Sequence, residues 1–241
     1  MNYRNTLVVV PQFRPDGDTP DGAKMLHETA MMHGIAVTEV GRGKPWTNHY
    51  ECKILGVWEE IRGLRGYDYI IFADADDCLF ATGLGEMHHW FDKIGKDFVA
   101  CGEAYCWPWI EKYSNENDGF GRLRYLNSGF FMATWPAFLR VWRGVMKQED
   151  DGYQERGRTI KNDDQAAFFR YWVENPGMIE LDSSARLCLC LAGLDGRWAL
   201  NHDIEWGKRP FCHLTKTAPC VLHFNGKEKW RMRDAFDLLC R

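Results

Sequence analysis

A five-residue apolar run, Tyr69 to Ala73, stops abruptly at three carboxylates, Asp74, Asp76 and Asp77. A short β-rich run bounded by polar residues reads as a buried strand. In open α/β sheets, chemistry gathers just beyond the carboxyl ends of the strands. Ionised acids crowded there repel one another and need a partner. A hard divalent cation is the usual one, because carboxylate oxygens are its preferred ligands. The competing reading makes Asp76 and Asp77 ordinary turn residues and Asp74 a cap on the next element. The density of acids after so apolar a strand favours a cation of the kind that holds a nucleotide diphosphate.

The flanking pattern turns this strand into a sheet. Thr6–Val10 reads as a first buried strand, followed by a Pro/Gly/Asp loop. Asp21 opens an amphipathic helix to about His33, closed by Gly34, and Ile35–Val40 is a second strand. Strand–helix–strand order implies right-handed crossovers and a mainly parallel sheet flanked by helices. Tyr50–Leu64 reads as a helix with Lys53 near its start, Gly83–Ile94 as another, and Asp97–Cys101 as a further strand. The expected fold is therefore α/β and Rossmann-like.

From about residue 106 the pattern is less regular. A turn-rich loop runs from Cys106 to Gly121, then Tyr125–Ala133 reads as a strand and Trp135-Pro136 opens a helix. A charged segment, Lys147–Asn162, leads to a helix beginning at Asp163-Asp164-Gln165. Short strands follow near Met178–Leu181, Leu187–Leu191 and Val221–Phe224, with a loop-rich stretch from Gly193 to His213. A basic helix from Lys227 to Cys240 ends the chain. One domain over residues 1–241 is expected, with a nucleotide-binding half to about residue 105 and an irregular half beyond it.

At 45% hydrophobic, the chain can build a sizeable core. A formal net charge of -4 argues against nucleic-acid binding by a wholly basic surface, though not against a local patch. The start, MNYRNTLVVVPQF, lacks the apolar run of a signal peptide, and no stretch reaches the roughly 18 apolar residues of a membrane span. Nine irregularly spaced cysteines without a CxxC pair read as mostly reduced core residues, so a cytoplasmic protein is expected. Cys188 and Cys190 stand two apart, as on one face of a strand.

Three further groups carry chemistry. His223, in LHFNG, ends an apolar strand, and Gly226 would let the backbone approach a phosphate. A lone histidine is more often structural, but imidazole beside carboxylates moves the choice of cation from Mg²⁺ toward Mn²⁺. Trp46 would stack on a base and Lys53 neutralise a phosphate, although spacing alone favours a surface tryptophan and a solvated lysine. In Asn162-Asp163-Asp164-Gln165 one residue reads as a helix N-cap. Capping accounts for one acid more comfortably than for two, and the functional reading turns the acids toward a sugar and an acceptor.

Taken in order, FADADDCLFA, YCWP, YLNSGFFMA, NDDQ, IELD and LHFNG give the chain a resemblance to a known family. It resembles the glycosyltransferase domain of the procollagen lysyl hydroxylases and the related collagen glycosyltransferases, from about Leu7 to Gly226. The resemblance implies a GT-A type fold, a UDP-sugar donor and Mn²⁺, with Mg²⁺ as the alternative. By position it makes Asp74, Asp77 and His223 the metal ligands, and Asp76 falls where the family often has an aromatic that packs on the nucleotide. Trp46 and Lys53 match residues that contact UDP. Trp107, Asp163 and Asp164 match residues near sugar and acceptor, and Asn127 matches the asparagine of the LNSG strand.

The expected activity is metal-dependent transfer of a hexose, glucose or galactose, from a UDP-sugar to an acceptor hydroxyl. Two acceptors stay open: hydroxylysine in protein, and a 5-hydroxymethylated pyrimidine in DNA. A DNA base would need flipping and an aromatic platform such as Trp107 or Trp109. Arg122, Arg124, Arg156, Arg158, Lys227, Lys229, Arg231 and Arg233 would then hold phosphates, unless they are simply solvated charges. The alternatives from another class are a non-catalytic nucleotide-sugar binder and a nucleotide-sugar pyrophosphatase. No GxxxxGK[ST] element supports a P-loop reading.

Overall fold

A computed structural model of the chain describes residues 5–108, 123–148, 153–155, 158–192 and 204–241. Trp109, Arg122 and Arg156, with parts of the stretches 106–121, 147–162 and 193–213, lie outside the described residues.

Apolar runs and amphipathic stretches alternate along the first hundred residues, and the chain folds accordingly. Strand β1 (Thr6–Arg14) leads to helix α1 (Asp21–Met32) and strand β2 (Thr38–Arg42). A π-helical segment, Tyr50–Gly56, continues as α2 (Val57–Ile61). Then come β3 (Tyr69–Ala73), β4 (Cys78–Phe80), α3 (Leu84–Ile94) and β5 (Phe98–Glu103). Next come β6 (Tyr125–Thr134), α4 (Trp135–Val145), β7 (Tyr153–Glu155), β8 (Arg158–Ile160) and α5 (Asp164–Glu174). Strands β9 (Glu180–Asp182), β10 (Cys188–Cys190), β11 (Ile204–Glu205), β12 (Phe211–Cys212) and β13 (Val221–His223) follow. A 3-10 turn, Gly226–Arg231, and α6 (Met232–Leu239) complete the order.

The main sheet has six strands in the order β2-β1-β3-β6-β5-β9. β1 is parallel to β2 and β3, and β5 is parallel to β9, while β6 runs antiparallel to both of its neighbours. The mainly parallel sheet is therefore present, with one reversed strand in it. Alternation buries both faces. Leu7, Val9, Ile70 and Phe72 face a core filled by Phe138, Val141 and Trp142 of α4 and Phe168 and Phe169 of α5. Val8, Val10, Ile71 and Ala73 face α1 and α3 on the other side. Phe72 stacks on Phe131 across the β3–β6 pair, 5.2 Å between centroids. Burying such rings stabilises by roughly 1.5–3 kcal/mol each.

A second sheet, β10-β13-β4, stands beside the first. Its register sets the site: His223 of β13 lies opposite Cys78 of β4, so the acids before β4 meet the end of β13. Phe224 N donates to Asp77 O at 2.7 Å. In the main sheet Ala73 pairs with Phe130, and Asp74 N donates to Gly129 O at 2.8 Å.

Several elements differ from the sequence expectation: β1 runs on through Pro11 to Arg14, β2 starts at Thr38 rather than Ile35, and the strand pairs β7-β8 and β11-β12 fall in stretches expected to be irregular. β4 follows the acid turn directly, and three residues are too few for a periodic signal. The expected helix 50–64 is π-wound over its first seven residues, and such widened turns cluster at functional sites. The first turns of the C-terminal helix are 3-10. Among the described residues, no helix is long and apolar enough to cross a membrane. All nine cysteines are free, seven of them buried, with Cys106 half-buried and Cys240 exposed.

Candidate active site

The carboxyl ends of β3 and β13, the start of α5 and the π-helical segment converge on one chain of charges. Lys53 is the link between them. Its ammonium lies 2.8 Å from Asp74 Oδ1 and 2.7 Å from Asp164 Oδ2. Only 6% of Lys53 is exposed. Burial opposes its charge, but Asp164 and Asp74 outweigh burial and hold the ammonium well above its ordinary range. Burial likewise works against a charged Asp164, yet Lys53 and then His49 keep that carboxyl below its usual range. Asp74 is lifted by burial, although Lys53 pulls the other way.

The chain continues to the metal-type donors. His223 Nε2 lies 3.4 Å from Asp77 Oδ1 and 3.8 Å from Asp74 Oδ2. Burial alone would lower the imidazole pKa, but Asp77 drives it up to about 10. Asp77 is held well below the carboxylate range by His223 and Lys229 in spite of burial. Lys229 Nζ lies 3.1 Å from Asp77 Oδ2.

Two observations fit this cluster to a cation. Both His223 Nε2 and Asp77 Oδ1 are buried yet lack a hydrogen-bond partner. Buried polar atoms of this kind call for an ion or water. Facing them is Gly129. A Cβ built there would stand 2.2 Å from His223 Cε1, 2.7 Å from Nε2 and 2.8 Å from Asp74 Oδ2. The missing side chain leaves a cradle bounded by His223 and Asp74. Imidazole with carboxylates suits Mn²⁺ better than Mg²⁺.

The remaining residues form a second, hydrogen-bonded layer. Ser128 Oγ donates to Asp164 Oδ2 at 2.7 Å. Asn127 Oδ1 accepts from Gly129 N at 2.8 Å, and its Nδ2 donates to Gln165 Oε1 at 3.1 Å. Gln165 Nε2 donates to Glu103 and, at 2.7 Å, to the carbonyl of Trp107. Asn225 Nδ2 donates to the other Glu103 oxygen at 2.8 Å. Burial pushes the Glu103 carboxyl up to about 8, against the pull of Gln165.

The residues singled out from the sequence thus fall into groups. The structure brings Lys53, Asp74, Asp77, Asp164 and His223 together, with Asn127 directly behind them. Asp163 caps α5, accepting from Ala166 N at 2.9 Å, and burial followed by the Asp164 charge pushes its carboxyl up to about 6. Asp76 turns away to pair with Arg14 at the end of β1. Trp46 is 46% exposed and sets its ring edge-on to His49, which leans on Asp164 at 3.8 Å. Trp107 reaches the network through its backbone and is half-exposed. Gly226 holds φ 64° just beyond Asn225, a left-handed conformation suited to glycine.

Sequence reasoning gave no role to Glu103, Ser128, Gly129, Gln165 or Asn225, and gave Lys229 only a phosphate role. Glu103 carries the signal that Asp74 does, an acid at the carboxyl end of an apolar strand. Ser128 and Gly129 sit inside the YLNSG stretch, Gln165 beside the two acids, and Asn225 beside His223.

A mainly parallel sheet with acids at the end of one strand and a histidine at the end of another is a GT-A-like arrangement. The chain belongs to the family described as the PLOD GT domain, whose model matches residues 16–236. It is 26% identical over 227 residues to the rat multifunctional procollagen lysine hydroxylase and glycosyltransferase LH3, covering 88% of this chain and 29% of that protein. It is 25% identical over 224 residues to protein R699 of Acanthamoeba polyphaga mimivirus, covering 87% of this chain and 44% of R699. The chain therefore spans less than half the length of these relatives. A solved structure, a glycosyltransferase involved in glycosylation of the major capsid of PBCV-1, shares the fold with a TM-score of 0.53. That likeness, at 10% identity, covers 95% of this chain and 98% of the other.

Proposed function

We propose that the chain transfers a hexose from a UDP-sugar to an acceptor hydroxyl, with a divalent cation, Mn²⁺, held by Asp74, Asp77 and His223. The observation that carries this reading is that two buried atoms, His223 Nε2 and Asp77 Oδ1, face each other 3.4 Å apart without a hydrogen bond, next to the close approach of Gly129 to His223 and Asp74. When bound there, the cation would neutralise the charge that builds on the departing diphosphate.

The chain's own residues supply the rest. Lys53, whose ammonium is favoured by Asp164 and Asp74, stands between the acids of β3 and α5, so it orients Asp74 and offers a donor to a phosphate oxygen. Lys229 sits half-exposed over Asp77 and adds a second positive charge. Asp164 is held by Lys53 and Ser128, and in this reading its carboxylate accepts a proton from an acceptor hydroxyl. Trp46, on an exposed loop, provides a ring face for the base.

For the acceptor, the family and its lysine hydroxylase relatives support a hydroxylysine side chain in protein, and a hydroxymethylated DNA base is the second acceptor to test. The deciding experiment measures UDP release from a panel of UDP-sugars with Mn²⁺, first without acceptor, then with hydroxylysine peptide or hydroxymethylated DNA. Mn²⁺-dependent release from one sugar, accelerated by one acceptor, is the expected result. Sugar phosphate as the product would point to a pyrophosphatase, and no release from any sugar would leave only a binder.

A further inference from the structure

Behind the carboxylate site lies a cluster that the transfer reaction does not use. Cys188 and Cys190 alternate along β10 and both are fully buried. β10 runs parallel to β13, with Cys190 directly opposite His223. Cys101 joins them from β5, whose register against β6 shifts between Ala100 and Cys101. A bulge of this kind re-aims the side chain that follows it.

Cys190 Sγ lies 3.4 Å from Cys101 Sγ and 3.5 Å from His223 Nδ1. The donor atoms of Cys101, Cys190 and His223 all fall within 4.8 Å of one another. Buried cysteines often act only as small apolar residues. Packing does not by itself bring a ring nitrogen and several sulfurs to one point. Ligands around a tetrahedral Zn²⁺, with Zn–S about 2.3 Å and Zn–N about 2.0–2.1 Å, stand roughly 3.5–3.8 Å apart. The observed spacing is close to that.

We propose that Cys101, Cys190 and the Nδ1 face of His223 form a Zn²⁺ site. Thiolate sulfur and imidazole nitrogen are the donors that a borderline-soft ion prefers, whereas Mn²⁺ prefers the oxygens on the other face of His223. Two thiolates cancel the ion's charge, as a fully buried site requires. Every ligand is inaccessible in the folded chain, so the ion is taken up as the chain folds.

The test uses the full chain from zinc-supplemented culture, in a Cys240→Ser background that removes the exposed thiol. After dialysis against a weak chelator, metal content and the zinc X-ray absorption edge are measured. About one zinc per chain, with at least two sulfur ligands, is expected. Cys190→Ser and Cys101→Ser should each lower occupancy roughly tenfold or more. Absence of zinc, or a shell of oxygen and nitrogen alone, overturns the proposal. The sulfur count is read with Cys101, Cys188 and Cys190 all in place, so it decides the matter even where a core variant fails to fold. Asp77→Ala should keep its zinc while losing Mn²⁺-dependent turnover, which separates failure of this site from failure of the transferase reading.

Discussion

Gly129 is the residue on which the candidate site is most sensitive. A methyl group there would overlap the His223 ring and press on Asp74. The ring is held on its other side by β10 and is fully buried, so it has little room to yield. Misplacing a reacting group by about 1 Å costs on the order of 100-fold. Gly129→Ala is therefore expected to lower Mn²⁺-dependent UDP release about 100-fold while far-UV circular dichroism stays native. Near-normal turnover would remove the cradle from the argument. Glu103 makes a different prediction. Its carboxyl sits near 8 when folded and near the ordinary 4.5 when unfolded, so the folded state holds the extra proton between these values. Stability should fall as pH rises from about 5 to 8, by at most about 1.4 kcal/mol per pH unit. Glu103→Gln should flatten that slope. It should also lose roughly 1–3 kcal/mol at pH 5, because an amide NH₂ would face the NH₂ of Asn225 or Gln165. Urea titrations at pH 5 and 8 measure both effects, and an unchanged slope in the variant would exonerate Glu103.

At the scale of elements, α5 separates two adjacent acids by their geometry. Asp163 accepts from the Ala166 N–H and caps the helix, while Asp164 turns into the charge chain. Asp163→Ala should destabilise by about 1 kcal/mol, and Asp163→Asn, which keeps an acceptor oxygen, by only a few tenths. Equal losses in thermal melts would mean that the carboxylate charge, not the cap, matters there. Much of this level was readable in the chain. The strand ending in acids, the strand–helix alternation and the helix start at Asp163 each follow from a local signal. The elements that escaped have no such signal. β4 is stabilised by pairing with β13, far away in sequence, and not by its own three residues. The π-wound turns at Tyr50–Gly56 keep nearly the same apolar spacing as an α-helix, yet they carry Lys53 into the site.

At the scale of the whole molecule, the site joins segments that lie far apart along the chain. Lys53 links Asp74 to Asp164, and Glu103 links Gln165 to Asn225. Sequence patterns fix which residues end a strand, but not which strand ends meet. That is why His223 and Asp77 could be named separately while their 3.4 Å approach could not be read. The same closure makes ligand binding a global stabiliser, because the cation and the diphosphate would engage ligands from β3, β13 and the π-helical segment at once. At about 100 times the dissociation constant, binding adds roughly 2.7 kcal/mol. For a domain of this size, each kcal/mol raises Tm by about 2–4 °C. UDP with Mn²⁺ is therefore expected to raise Tm by roughly 5–10 °C, and either alone by less. Asp77→Ala should abolish the Mn²⁺-dependent part of that rise. A full shift in the Asp77→Ala protein would place the cation somewhere other than against His223, and the site assignment would fall with it.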